Sequence, residues 1–210
     1  RIERRELKVL WSEDARRFIE AVKNERLEAL YSVALSLGLR RGEALGLRWS
    51  DVDLEARRLT VARSLQRIEG KLQIVETKSA SARRTISLPQ IAIRVLRNHR
   101  ARQLQDRLIA GSEWEDTGLI FTNHDGRAVD PMALYRDFRR VLKKAGLPPI
   151  RLHDLRHSAA ALMLSQDVPL KTIQEILGHS SISVTAGFYA HVGEQLKHKA
   201  ADAIDAALGT

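Results

Sequence analysis

Residues 152–164 read Leu152-His153-Asp154-Leu155-Arg156-His157-Ser158-Ala159-Ala160-Ala161-Leu162-Met163-Leu164, and the alanine and leucine content predicts a helix. The polar start is its informative end. At helical spacing His153 and Arg156 are three residues apart and share a face. In a first turn, free backbone N–H groups and the helix dipole already favour an anion. A histidine and an arginine added there make a phosphate site. A solvated polar helix start is the plain alternative. Zinc is another rival, because His153 and His157 are four apart. Zinc needs a third protein ligand and usually a nearby general base, and the sequence has no HExxH pattern.

Working outward, the segments on both sides predict further helices. Pro148-Pro149 is a rigid break, and Pro131 opens a helix running through Leu142. Leu170 to Leu177 predicts another helix, followed by Gly178-His179. Near the start, Ser12 is a candidate N-cap, with Ala15, Phe18, Ile19 and Val22 at helical spacing behind it. A second helix is predicted from about Arg26 to Leu37, ended by Gly38, and a tight turn leads into a short helix within 39–47. After Asp51 the period changes. Leu59 to Val61, Leu72 to Val75 and Arg84 to Leu88 predict three short strands, with a turn at Glu69-Gly70 and a small polar turn holding Lys78. Ile91 to about Leu108 predicts a long basic helix, and Gly118 to Phe121 a short buried piece. Val192 to Leu208 predicts a tail helix with an apolar stripe of Leu196, Ala200, Ala203, Ile204 and Ala207. The fold class is mostly α (α+β), helical with a small three-stranded antiparallel sheet.

Composition narrows the function. The chain has 210 residues, enough for one domain with a real core or one domain plus a tail. Its 35 Lys and Arg against 26 Asp and Glu leave a formal charge of +9 with His neutral, and the pI is about 10.2. That balance points to a polyanionic partner, nucleic acid or an anionic membrane surface. Zero cysteines exclude a disulfide scaffold, a Cys-ligated metal and a thiol nucleophile. The charge-free stretch from Ala29 to Leu39 falls far short of the roughly 20 residues a bilayer helix needs. The chain opens RIERRELKVLW, with neither an initiator Met nor a signal-peptide core. The expectation is a cytoplasmic domain cut from a longer protein.

Taken singly, the remaining polar residues are ordinary. Arg40 and Glu43 make a possible surface ion pair of little worth, Lys78 is an exposed turn residue, His179 is a cap, and Tyr189 is an amphipathic edge residue. Their order changes this. Arg40-x-x-Glu43, Lys78, His153-x-x-Arg156, Leu177-Gly178-His179 and Tyr189 follow one another in the segments GLRRGEALGLRWSDVD, TKSASARRTISLP, LHDLRHSAAALML and LGHSSISVTAGFYAHV. Over roughly residues 7 to 195 the chain resembles the catalytic domain of the tyrosine recombinases, the phage integrase family.

The resemblance implies a site. Arg40 and Arg156 match the two phosphate-binding arginines, Lys78 the hairpin lysine, His153 and His179 the two site histidines, and Tyr189 the nucleophile. Glu43 matches the acidic residue bracing the site, while His157 and His191 read as structural. The implied chemistry is DNA strand cleavage and rejoining through a 3′-phosphotyrosine, with no cofactor and no metal. The implied partners are double-stranded DNA and, in the full-length protein, three further copies in a tetramer, with no membrane. The expected organisation is a catalytic domain over 1–192 and a tail helix over 193–210, packed in cis or exchanged between protomers. The chain is expected to lack the family's N-terminal core-binding domain. Two other readings stand beside this one. A type IB topoisomerase uses similar chemistry on one duplex, and a helix-turn-helix binding module could be drawn over Leu170 to Ala186.

Overall fold

The computed structural model describes residues 9–77, 83–178 and 205. Helix α1 (Ser12–Val22) buries Ala15, Phe18 and Val22 on one stripe. Trp11 holds the N-cap position and Ser12 is the first helical residue, without a side-chain cap bond. The expected cap is therefore one residue out, because the Trp11 carbonyl already accepts from Ala15 N–H. Helix α2 (Glu28–Leu37) reads EALYSVALSL and is buried on nearly every side, as an apolar helix without a polar face must be. It packs against α1, against α3 (Arg41–Leu45), and against α4 (Gln90–Ala110) and α6 (Asp154–Ser165). The rings of Phe18, Tyr31 and Phe138 meet with centroids 5.7–5.8 Å apart. They join α1 and α2 to α5 (Pro131–Lys144), whose N-cap Asp130 accepts from Met132 and Ala133 N–H.

Gly38 ends α2 in the left-handed region at φ 62°. A side chain there would collide with Leu177 at the end of α7 (Leu170–Leu177). Glycine therefore both supplies the turn and admits the neighbouring helix.

The β-structure differs from the sequence expectation of one sheet made from 59–61, 72–75 and 84–88. The three-stranded sheet is antiparallel, in the order β1 (Val52–Asp53), β2 (Arg58–Val61), β5 (Arg84–Ser87). Residues 72–75 belong instead to a separate hairpin, β3 (Arg63–Ile68) with β4 (Lys71–Glu76). The chain leaves β2 at Ala62, whose carbonyl accepts Thr77 N–H and closes the root of the hairpin. Glu69 and Gly70, at φ 48° and 80°, make its tight turn. β3 escaped the sequence reading because Leu65 is its one buried residue.

Residues 119–121 form the expected buried piece. It is fastened to α4 by Gln103, which donates to the carbonyls of Leu119 and Ile120, and by the buried His99 ring, 2.7 Å from the Ile120 carbonyl. This core sets the start of α3, the start of α6 and the end of α7 against one another. No helix among the described residues is long and apolar enough to cross a membrane.

Candidate active site

Arg40 precedes α3 with extended backbone (φ −65°, ψ 148°). The buried Glu43 carboxylate in the first turn accepts both the Arg40 backbone N–H (3.0 Å) and its Nη1 (2.6 Å). A carboxylate suits this position, where unsatisfied N–H groups and the positive helix end converge. The same device recurs before α6, where buried Asp154 accepts Arg151 N–H (2.7 Å) and Nη2 (2.8 Å). Each acid pins an arginine three residues back and fixes how the chain enters its helix.

Glu43 has a second cation. Arg84, the first residue of β5, has a nearly covered side chain and donates from Nη2 to Glu43 at 2.9 Å. Burial alone would raise the Glu43 pKa. The Arg84 hydrogen bond and charge, helped by Arg40, overcome this and hold it below the ordinary carboxylate value.

The three guanidiniums then converge on the end of α7. Arg84 Nε donates to the Ile176 carbonyl (2.6 Å), Arg156 Nη2 to Leu177 (2.5 Å) and Arg40 Nη2 to Gly178 (3.0 Å). Arg156 Nη1 also donates to Gly38 at the end of α2 (2.7 Å). Helix C-termini carry unpaired carbonyls and negative partial charge, so they attract cations. Among the described residues three guanidiniums face one carboxylate here, a surplus of positive charge. Arg156 is 2% exposed. Burial first, and the Arg40 charge second, lower its pKa from the ordinary guanidinium value. A buried cation beside another cation is stabilised by any anion that enters. Arg40, with a side chain 41% exposed, opens the cluster to solvent.

His153 is the N-cap of α6 and is an exposed residue, with its ring partly desolvated. Burial, and then Arg156, push its pKa down, with Arg40 adding to the effect. Its ring meets His157 edge-on, with centroids 4.8 Å apart. His157 is pushed down to about 4, first by burial and then by His153. Both imidazoles are therefore neutral near pH 7, in the form that accepts a proton. Among the described residues, no group of three or more His, Asp or Glu side chains could hold a metal ion.

Of the residues singled out from sequence, the structure brings Arg40, Glu43, His153 and Arg156 together. Lys78, His179 and Tyr189 lie outside the described residues, as do His191 and the tail stripe. Sequence reasoning missed Arg84. As one of several arginine pairs in the sequence, Arg83-Arg84 reads as a phosphate contact or plain solvated surface, yet the Arg84 side chain is only 7% exposed. Its signal was its place at the head of a strand whose next buried residue is Ile86.

A model of the family described as "Phage integrase family" matches residues 8–195. The chain is 35% identical to the tyrosine recombinase XerC-like protein of Caldanaerobacter subterraneus subsp. tengcongensis, across 95% of this chain and 54% of that protein. It is 30% identical to the ICEBs1 integrase of Bacillus subtilis, across 96% and 55%. The chain thus spans little more than half the length of these relatives. Among solved structures, the XerA recombinase superposes with a TM-score of 0.71 at 26% identity, covering 86% of this chain and 59% of that one. The Tn1549 transposon integrase in complex with transposon right end DNA superposes with a TM-score of 0.80 at 21% identity, covering 99% and 68%, a likeness of fold. The fold is that of tyrosine recombinase catalytic domains. The chain belongs to the phage integrase family.

Proposed function

We propose that this chain is the catalytic part of a site-specific DNA recombinase that cuts and rejoins strands through a 3′-phosphotyrosine on Tyr189. One observation carries the reading. Arg40 and Arg156, far apart in sequence, donate to the adjacent carbonyls of Gly178 and Leu177, beside a neutral His153.

In this proposal the two arginines hold the non-bridging oxygens of the scissile phosphate. Charge grows on those oxygens as phosphorus is attacked, and fixed guanidiniums stabilise it. The described bonds of Arg156 to Gly38 and Leu177 engage two of a guanidinium's five N–H donors. The Tyr189 phenol has an ordinary pKa of about 10 and must lose its proton during attack. His153 or His179 accepts it. The Tyr189 oxygen–phosphorus bond forms, the bond from phosphorus to the 5′ oxygen breaks, and Lys78 protonates that departing oxygen to give the 5′ hydroxyl. The 5′ hydroxyl of a partner strand then attacks the phosphotyrosine and releases the phenol. The covalent link conserves the phosphodiester's free energy, so rejoining needs no ATP. Glu43 keeps Arg40 in place. Arginines carry the charge stabilisation, so the proposed reaction needs no metal.

The partners proposed are double-stranded DNA and, in the full-length protein, a homotetramer on two duplexes, acting in the cytoplasm. The complex of the similar Tn1549 transposon integrase with transposon right end DNA supports DNA as substrate. The domain assignment of 1–192 as catalytic and 193–210 as a tail helix, packed in cis or in trans, belongs to the same proposal. The test is incubation of the full-length protein with a nicked suicide duplex in EDTA. An SDS-stable protein–DNA adduct that Tyr189→Phe abolishes supports the reading. No adduct, or one that EDTA removes, overturns it.

A further inference from the structure

Arg84 stands outside the residues assigned above, yet it bonds both to Glu43 and to the end of α7. Its Nε holds the Ile176 carbonyl at 2.6 Å, Nη2 the Glu43 Oε2 at 2.9 Å, and Nη1 the Glu43 Oε1 at 3.3 Å. Its guanidinium also lies over Gly178. A Cβ on that glycine would sit 2.9 Å from Arg84 Nη1 and 3.1 Å from Cζ. Gly178 is at φ 65°, so the end of α7 is shaped both to turn there and to admit this side chain. Arg84 opens β5, with its backbone registered against Val61 of β2. One guanidinium therefore ties the sheet to α3 through Glu43 and to α7 through Ile176.

We propose that Arg84 is a positioning residue for this site: it holds Glu43, and through it Arg40, in register with the end of α7, so that the Arg40 and Arg156 guanidiniums keep a fixed separation. The inference rests on the recombinase reading above. The geometry explains why an arginine is needed. Its planar fork satisfies a carboxylate edge and a carbonyl at once, which a lysine ammonium on a flexible stem does not. Among the described residues, the charged groups that face Glu43 are Arg40 from the start of α3, Arg84 from β5 and Arg156 from α6. Without Arg84, the burial that raises Glu43 loses its strongest opponent.

The experiment compares full-length wild type, Arg84→Gln and Arg84→Lys on the nicked suicide duplex. It measures the single-turnover rate of adduct formation from pH 3.5 to 8, the DNA affinity at fixed salt, and thermal melting. Arg84→Gln should slow adduct formation about 100-fold, because a small misplacement of catalytic groups has that effect. Its DNA affinity should change by less than about threefold, since phosphate contacts elsewhere carry most of the binding. Its acidic limb should move to higher pH as Glu43 takes up a proton more readily. Arg84→Lys should recover about tenfold of the lost rate by keeping the charge. If Arg84→Gln does not fold, Arg84→Lys decides, with slower adduct formation at unchanged DNA affinity expected. Rates within about twofold of wild type in the folded variants overturn the inference alone. So does a loss of rate matched by an equal loss of DNA affinity, or an unmoved acidic limb. Absence of adduct with wild type overturns the recombinase reading and this inference with it.

Discussion

The guanidinium of Arg156 reaches the backbone of Gly38, 118 residues earlier in the chain, with Nη1 donating to the carbonyl oxygen at 2.7 Å. A single hydrogen bond thus joins the end of α2 to the first turn of α6. The other side of the same guanidinium holds Leu177. Arg156 is at once a structural clamp and a proposed phosphate ligand, and substitutions there read both roles.

Arg156→Lys should lower the adduct rate about 100-fold or more, because an ammonium offers a point charge where two planar donors are needed. It can bond Gly38 or Leu177 but not both in the present geometry. Single-turnover kinetics with a melting curve on the same sample separate the two effects. An unchanged rate would remove Arg156 from the proposed chemistry.

Gly38→Ala should destabilise the fold by about 2–5 kcal/mol, summing the left-handed backbone cost and the collision with Leu177. Gly70→Ala is the control. It also has positive φ, but open space surrounds it, so only the backbone cost of about 1–2 kcal/mol applies. Chemical denaturation of both variants checks the difference. Equal losses would show that the close approach of α7 contributes nothing.

Glu43→Gln should cost about 3–5 kcal/mol, the usual effect of breaking one side of a buried ion pair. The pH dependence has a definite sign. The folded pKa of Glu43 lies below its ordinary 4.5. Its stabilisation is therefore present above pH 4.5 and lost as pH falls toward the folded value. Wild type should lose thermal stability more steeply than Glu43→Gln below pH 4.5.

His157 should stay neutral down to about pH 4, against an ordinary 6.5, because burial and the neighbouring His153 disfavour its charge. The unfolded chain takes up that proton first, so stability falls as pH drops from 6.5 toward 4 and is level above. Histidine proton resonances followed by NMR check the titration. A midpoint near 6.5 for His157 would contradict the burial seen here.

Much of the helical framework was legible because its causes are local. Gly38 and Gly178 stop helices in the left-handed conformation, Pro131 opens one behind Asp130, and the apolar run of α2 leaves no polar face to expose. The sheet was less legible. Arg63 to Ile68 lacks a two-sided apolar pattern, so its pairing with β4 is decided by the bend at Ala62 and the Glu69-Gly70 turn. In the site, Arg40, Glu43, His153 and Arg156 were found through the order of motifs. Arg84 was not, because its role depends on α7 folding back over β5, a contact 92 residues away in sequence. Periodicity and charge counts carry no information about such a contact.

The arginine cluster also sets the earliest point at which the folding unit can end. Ile176, Leu177 and Gly178 are acceptors for three cations rooted in β5, α6 and the start of α3. A truncation at the 166–169 turn would strip those acceptors and leave three like charges crowded around Glu43 alone. Shortening the polypeptide there should unravel the interior of the domain as well as its rim, which makes α7 a keystone despite its eight residues.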